Sequence, residues 1–313
     1  MTETPVANSG ESRHPRPDRP RIRVLSSIGG TVVVVGLLVY LLATNGSKIE
    51  QAAQRTTAAD LVLVTLLALV GLLARTEAVV ACLNAMGERP HRRDIHASNS
   101  LTFLAAFVNH YLSSVVRAAL MRRVDRERSP TIPQMIMVDT STTLIEGLVV
   151  AALIVVSAGA LKLSWWVPAL IVVAGISGVA LALGVRRRFG HLAILKGLDV
   201  LAHSRQRTVV AGLMIVVVTT QVLRTLIVLR AVGLHPSLLQ AVATFVAGGV
   251  LSSLFAGPAG GTAGGPLLVF GHQSLAASAA AGLELSITSL IAGMLYAVSG
   301  GPVFAWRLRQ IRT

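Results

Sequence analysis

Long apolar runs alternate along this chain with short arginine-rich segments. The clear runs are 24–44, 59–83, 138–160, 165–185, 209–230 and 285–306. A helix of 21 residues, such as 24–44, reaches about 31 Å, enough for a bilayer core of about 30 Å. A soluble domain can bury one such run, not six. The pattern therefore predicts an all-α, polytopic transmembrane helical bundle, with room for about six to eight spans. A signal peptide competes for the first run, but that run is long and lacks a small-x-small site before a soluble domain.

Two further segments fit no simple span. Segment 97–120 holds Leu101, Phe103, Leu104 and Phe107, then Asn109, His110, Ser113, Ser114 and Arg117. Segment 237–283 is moderately apolar and is interrupted by Gly257-Pro258-Ala259-Gly260-Gly261-Thr262-Ala263-Gly264-Gly265-Pro266. Gly and Pro cost about 1 and 3 kcal/mol each in a helix interior, so no helix is expected through that stretch. Either two full spans flank it, or two half-helices dip in and return.

The basic residues set the orientation. They concentrate in 1–23, 86–96, 121–132, 186–208 and the C-terminus, whereas 45–58 offers only Lys48 and Arg55, 161–164 only Lys162, and 231–236 none. Positive segments stay inside, so both termini are expected to be cytoplasmic. Residues 1–23 read as a disordered basic tail, 24–306 as the membrane domain and 307–313 as a second cytoplasmic tail. Segments 86–96 and 121–132 are both basic, which favours a re-entrant pair or an interfacial helix for 97–120 over a single span. Each half then has two spans, a broken polar segment and a third span. The halves, 24–160 and 165–306, start on opposite sides, which is the inverted repeat of secondary transporters. The repeat rests on hydropathy and charge alone.

Composition narrows the function. The 313 residues are 53% apolar and 13% charged, with mean hydropathy +0.69, against about 25% charge in a soluble domain. One cysteine, Cys82, permits no internal disulfide and no cysteine-rich zinc site. The net charge of +14 is distributed as topology signals and contacts to anionic headgroups, and 4% aromatics offers no stacking platform for nucleic acid. No spacing among the eight histidines resembles a metal site. The Gly-rich stretch lacks the Lys-Ser/Thr that closes a phosphate loop. No cofactor is expected.

Ionisable residues inside membranes are costly and mark function by default. Asp139, Thr142, Thr143 and Glu146 fall at offsets of 3, 4 and 7, one helical face. Thr220, Gln221, Arg224 and Thr225 cluster similarly in the 209–230 run. Asp139 can sit in the headgroup region, and Arg75 and Arg230 can snorkel. Glu146 and Arg224 are deeper. They either pair with one another or another helix, or face a water-accessible site. Arg75 and Glu77 break the apolarity of the second run, and Glu284 opens the last one. His110 and His272 lie one in each broken segment, where packing and proton transfer both remain open. The other histidines, His96 among them, sit in or beside loops and carry no signal.

The arrangement resembles the lysylphosphatidylglycerol-synthase transmembrane region, or flippase-like integral membrane proteins, the membrane half of the bacterial multiple peptide resistance factor. The stretch Leu112-Ser113-Ser114-Val115-Val116-Arg117 looks like the family's Gly-acid-x-x-Arg motif, with Arg117 matching, Ser113 and Ser114 replacing the glycine and acid, and Asn109 about where a proline stands. Thr142 to Gly147 is similar to the Glu-Arg-x-x-Asp-Gly motif, with Glu146 as the acid and the Glu-Arg pair lost. Pro258 to Gly264 looks like the Pro-Gly-Gly-x-Gly turn without its following Glu. The arginine of the family's final span is absent.

The resemblance implies movement of an anionic phospholipid or lipid-linked glycan between leaflets of a bacterial inner membrane. Arg117, Asp139, Glu146, Gln221, Arg224, Pro258, Gly260, Gly261 and Gly264 are the expected substrate-binding set, with Arg75, Asn109, His110, His272 and Glu284 as further candidates. The alternative is a non-catalytic partner subunit of a glycosyltransferase or lipid-modifying enzyme. An enzyme is not expected, since no acidic outer loop or protease constellation is present and the aminoacyl-transfer domain of the fused proteins lies outside this chain.

Overall fold

Among the described residues, every element of the computed structural model is helical. It describes residues 46–47, 49–88, 90–108, 110–125, 128–158, 164, 166–190, 192–251, 257–270 and 275–312. Residues 1–23, the run 24–44, Asn109 and His272 lie outside the described residues. The elements are α1 (Ala58–Ala85), α2 (Arg92–Val108), α3 (His110–Val124), α4 (Ile132–Ser157), α5 (Trp166–Phe189), a 3-10 turn Ala193–Leu198, α6 (Asp199–Ala202), α7 (Ser204–Ala231), α8 (Leu238–Leu251), α9 (Gly257–Phe270) and α10 (Leu275–Arg312). Five of them, α1, α4, α5, α7 and α10, are long and apolar enough to cross a membrane.

Local chemistry explains where these helices begin. Thr57 Oγ1 accepts from the Asp60 amide at 3.2 Å while Asp60 Oδ2 accepts from the Thr57 amide at 3.2 Å, a reciprocal cap that starts α1. Thr131 and Gln134 do the same for α4, with Pro133 in the first turn. That cap moves the start of the span from the expected 138 to Ile132. The last span likewise begins at Leu275 rather than 285. Its first turns are Ala-rich, and Ala279, Ala280 and Ala281 are buried in one cluster with Ile49, Val64 and Val228. Glu284 therefore lies inside α10 rather than at its start.

α1 and α7 form the centre of the bundle and run antiparallel. Near one end Val64 shares a cluster with Val228, Leu229 and Val232; near the other Ala78 and Cys82 share one with Val210 and Met214. They cross at Gly71, where a Cβ would lie 3.0 Å from Thr220 Oγ1. On the outside, α5 has none of its apolar window buried, and Val62, Leu66, Val70 and Leu73 form an exposed apolar face of α1. These are surfaces for lipid rather than water.

Among the described residues, four helices of 14 to 17 residues form two pairs, α2 packed on α3 and α8 packed on α9. They have 17, 15, 14 and 14 residues, or about 21–26 Å each, less than a bilayer core of about 30 Å. The second pair corrects the expectation that no helix passes through the Gly- and Pro-rich stretch, because α9 covers Gly257–Phe270 with Pro266 inside it. The reason is tertiary. A Cβ at Gly265 would lie 2.5 Å from Thr244 O and 3.0 Å from Gly248 N of α8, so the glycines that weaken an isolated helix allow this one to close on its neighbour.

Candidate functional site

Between α1, α7, α10 and the two short pairs lies a cavity of about 480 Å³. Five residues singled out from the sequence line it together: Arg75 on α1, Arg117 on α3, Glu146 on α4, and Gln221 and Arg224 on α7. Asn99, Thr143, Thr225, Ser289 and Tyr296 add further polar groups to the wall. The helical period explains the convergence, since polar residues three or four apart emerge on one face of an apolar helix.

The three arginines differ in how their charge is balanced. Arg75 donates from Nη2 to both oxygens of Glu146, at 2.5 and 2.6 Å, and the two side chains keep 42% and 22% of their surface exposed. This pair is more exposed than the Arg117–Asp139 pair. Arg117 donates from Nη1 to Asp139 Oδ1 at 2.9 Å, and Ser114 donates to the other oxygen of the same carboxylate. Asp139 thus stands behind Arg117, shared between it and Ser114.

Arg224 is 3% exposed and has no acidic partner within 4.0 Å among the described residues. Its Nη1 donates to Gln221 Oε1 at 2.9 Å, and its Nη2 donates to Leu285 O, Thr288 Oγ1 and Ser289 Oγ at 3.2, 3.2 and 2.7 Å. Its Nε is buried and makes no hydrogen bond. Of the alternatives expected for Glu146 and Arg224, contact with another helix is the one seen, and the two do not pair with one another. Glu146 is held by Arg75, and Arg224 rests on neutral oxygens of α10 and its own helix. With Asp139 counted beside Arg117, the described residues leave the cavity one positive charge in excess.

The other expected residues lie elsewhere. Glu284 faces away from the cavity; its Oε1 accepts from Thr56 Oγ1 at 2.7 Å, and its Oε2 is buried without a partner. Gly264 packs against Leu251 of α8, and α9 reaches the cavity through Pro266. His110, Pro258, Gly260 and Gly261 are described as helical backbone only. Among the described residues, no group of three or more His, Cys, Asp or Glu side chains comes together to hold a metal.

Sequence reasoning missed Asn99, Ser289 and Tyr296, and also His96, which sits within α2 and bonds Tyr296 Oη at 2.9 Å. One signal was readable. Arg75-Thr76-x-x-Val79 on α1 recurs as Arg224-Thr225-x-x-Val228 on α7, and Arg75 and Arg224 each lie four residues past the Gly71–Thr220 crossing. No protein family, no curated protein and no solved structure matches this chain.

Proposed function

We propose that the protein binds an anionic lipid headgroup in this cavity and passes it between the leaflets of a bacterial inner membrane, as the resemblance to flippase-like membrane proteins implies. One observation carries the reading: Arg224 is a buried guanidinium in the cavity wall with only neutral partners among the described residues. Desolvating an ion costs several kcal/mol, and the neutral oxygens around Arg224 offset part of that. A phosphate or carboxylate oxygen entering from the cavity would offset more, because charge-assisted hydrogen bonds are about twice as strong as neutral ones.

The packing supports an inverted repeat, which suits movement rather than storage. α1 packs on α7; α1 packs on α10 as α7 packs on α4; α1 packs on α4 as α7 packs on α10. Each contact maps onto another when the halves are exchanged, and the central pair is antiparallel. Each central arginine also reaches the last helix of its own half, Arg75 through Glu146 and Arg224 through Leu285, Thr288 and Ser289. At 1.5 Å per residue, four residues on either side of the crossing put the two arginines about 12 Å apart along the bundle axis. A headgroup thus meets a cation on each side of the midplane. The arginines of 86–96, 121–132, 186–208 and the C-terminus put those segments in the cytoplasm.

Leaflet exchange of labelled phosphatidylglycerol and phosphatidylcholine in proteoliposomes, wild type beside Arg224→Leu, tests this. Exchange selective for the anionic lipid and lost in the variant is the expected result. No exchange by folded wild-type protein would sink the proposal, and stable co-purification with a glycosyltransferase or lipid-modifying enzyme would put a partner-subunit role in its place.

A further inference from the structure

A second polar network leads from the basic segment 86–96 to the cavity wall. Glu77 Oε1 accepts from Arg92 Nε at 2.8 Å and lies 2.7 Å from His96 Nε2. His96 Nδ1 is 2.9 Å from Tyr296 Oη, and Tyr296 Oη is 3.0 Å from Thr76 Oγ1. Thr76 donates to Leu72 O at 2.9 Å and accepts from Asn99 Nδ2. Tyr296 and Asn99 line the central cavity. Tyr296 and His96 also line a second, largely apolar cavity of about 520 Å³ beside Arg93, so Tyr296 stands between the two.

Counting hydrogens along this chain gives two complete arrangements, one proton apart. Thr76 has one hydrogen, and it goes to Leu72 O. Its oxygen then accepts from both Asn99 and Tyr296, so Tyr296 must in turn accept from His96 Nδ1. The other ring nitrogen faces a carboxylate, which only accepts. In this first arrangement both ring nitrogens of His96 carry hydrogen. Removing one proton leaves Nε2–H on Glu77, turns the Tyr296 hydroxyl round to Nδ1, and turns the Thr76 hydroxyl from Leu72 O to Tyr296. Every heavy atom keeps its place.

The other charges around His96 are paired among the described residues, Arg93 apart. From α1 come Glu77 and Arg75, the latter held by Glu146. On its own helix, Arg92 is held by Glu77, Asp94 by Arg307 of α10 at 3.0 Å, and Arg93 lines the second cavity. α3 brings Arg117, held by Asp139, with Arg122 and Arg123 at its far end; α9 carries no titratable residue.

We propose that His96 is a proton-binding site coupled to the central cavity: one proton taken up on the Glu77–His96–Tyr296–Thr76 chain accompanies one anion entering beside Arg224. The physical link is charge, because a positive ring directly behind the cavity-lining Tyr296 strengthens anion binding through a low-dielectric interior. By reciprocity a bound anion strengthens proton binding equally. The consequence for transport, that anion and proton travel together, rests on the translocation reading; the linkage itself rests on the hydrogen-bond chain.

The test is nitrogen NMR of the histidine rings in the full-length protein, with His96 assigned by its loss in His96→Gln. Nanodiscs of phosphatidylcholine are compared with nanodiscs containing phosphatidylglycerol, at about pH 6.5, near an ordinary histidine's midpoint. The expected result is a ratio of imidazolium to neutral His96 about fivefold or more higher with phosphatidylglycerol, the scale of an ordinary coupling. That rise should vanish in Arg224→Leu and fall in Tyr296→Phe, which keeps the ring and removes the relay oxygen. A His96 ratio indifferent to the lipid, or a rise that survives in both variants, overturns the proposal. Leaflet exchange separates the two readings. Linkage without exchange removes translocation and keeps the proton site, whereas selective exchange without linkage does the reverse.

Discussion

Arg75 and Arg224 occupy matching places on the two central helices and have opposite electrostatic settings. Arg75 is partly exposed with a carboxylate on its guanidinium, while Arg224 is buried among neutral oxygens. An ion pair near water is nearly neutral to the outside and contributes little. A buried guanidinium with neutral partners keeps its field, and in a low-dielectric wall that field reaches an entering ligand. The difference teaches that the number of arginines around a cavity matters less than which of them a carboxylate has already neutralised.

The largest effect is expected from Arg224→Leu, which removes the excess charge. Selective exchange of anionic lipid should fall by about a hundredfold, within the range seen when a buried charged partner is truncated, while helicity and insertion stay unchanged by circular dichroism. Glu146→Gln should act in the opposite sense, giving Arg75 a free charge of its own. Phosphatidylglycerol should then bind more tightly and leave more slowly, with exchange reduced about tenfold, a factor that corresponds to about 1.4 kcal/mol. Equal exchange in this variant and the wild type would break the comparison.

The double substitution Arg75→Gln with Glu146→Gln removes the pair and restores the charge balance. Groups in direct contact are not additive, so exchange should return to within about threefold of wild type. If the double variant is as poor as Glu146→Gln alone, the arginine is needed for more than neutralisation. The smallest effect is steric. Gly71→Val meets Thr220 at the helix crossing and should lower thermal stability by about 1–3 kcal/mol, as overpacking does, without changing which lipid is selected.

Much of the site was legible because its residues are expensive where they stand. Arg75, Arg117, Glu146, Gln221 and Arg224 are polar residues in apolar or half-apolar segments, and helical spacing put several of them on shared faces. The partner of each charge was not legible. Arg75 meets Glu146 and Arg117 meets Asp139 across tertiary contacts that no local pattern encodes. His96 stands beside a basic loop with no local signal, yet it meets Tyr296 from the far end of the chain. Glu284 illustrates the reverse case: it is equally costly, but α10 turns it toward Thr56 and away from the cavity.

Hydropathy and charge are sums over neighbouring residues, so the sequence alone determined the helical class, the apolar runs long enough to cross a membrane and the alternation of basic segments. Thr57 with Asp60, and Thr131 with Gln134, set helix starts within four residues for the same reason. The tertiary structure decided the rest. Close packing on α8 carried a helix through Gly257–Phe270 against its local propensity, and the crossing of α1 with α7, with α3 beside it, brought three arginines to one cavity. Only there, where the distance from each cation to a carboxylate is set by packing, was it decided that Arg224 would keep its charge.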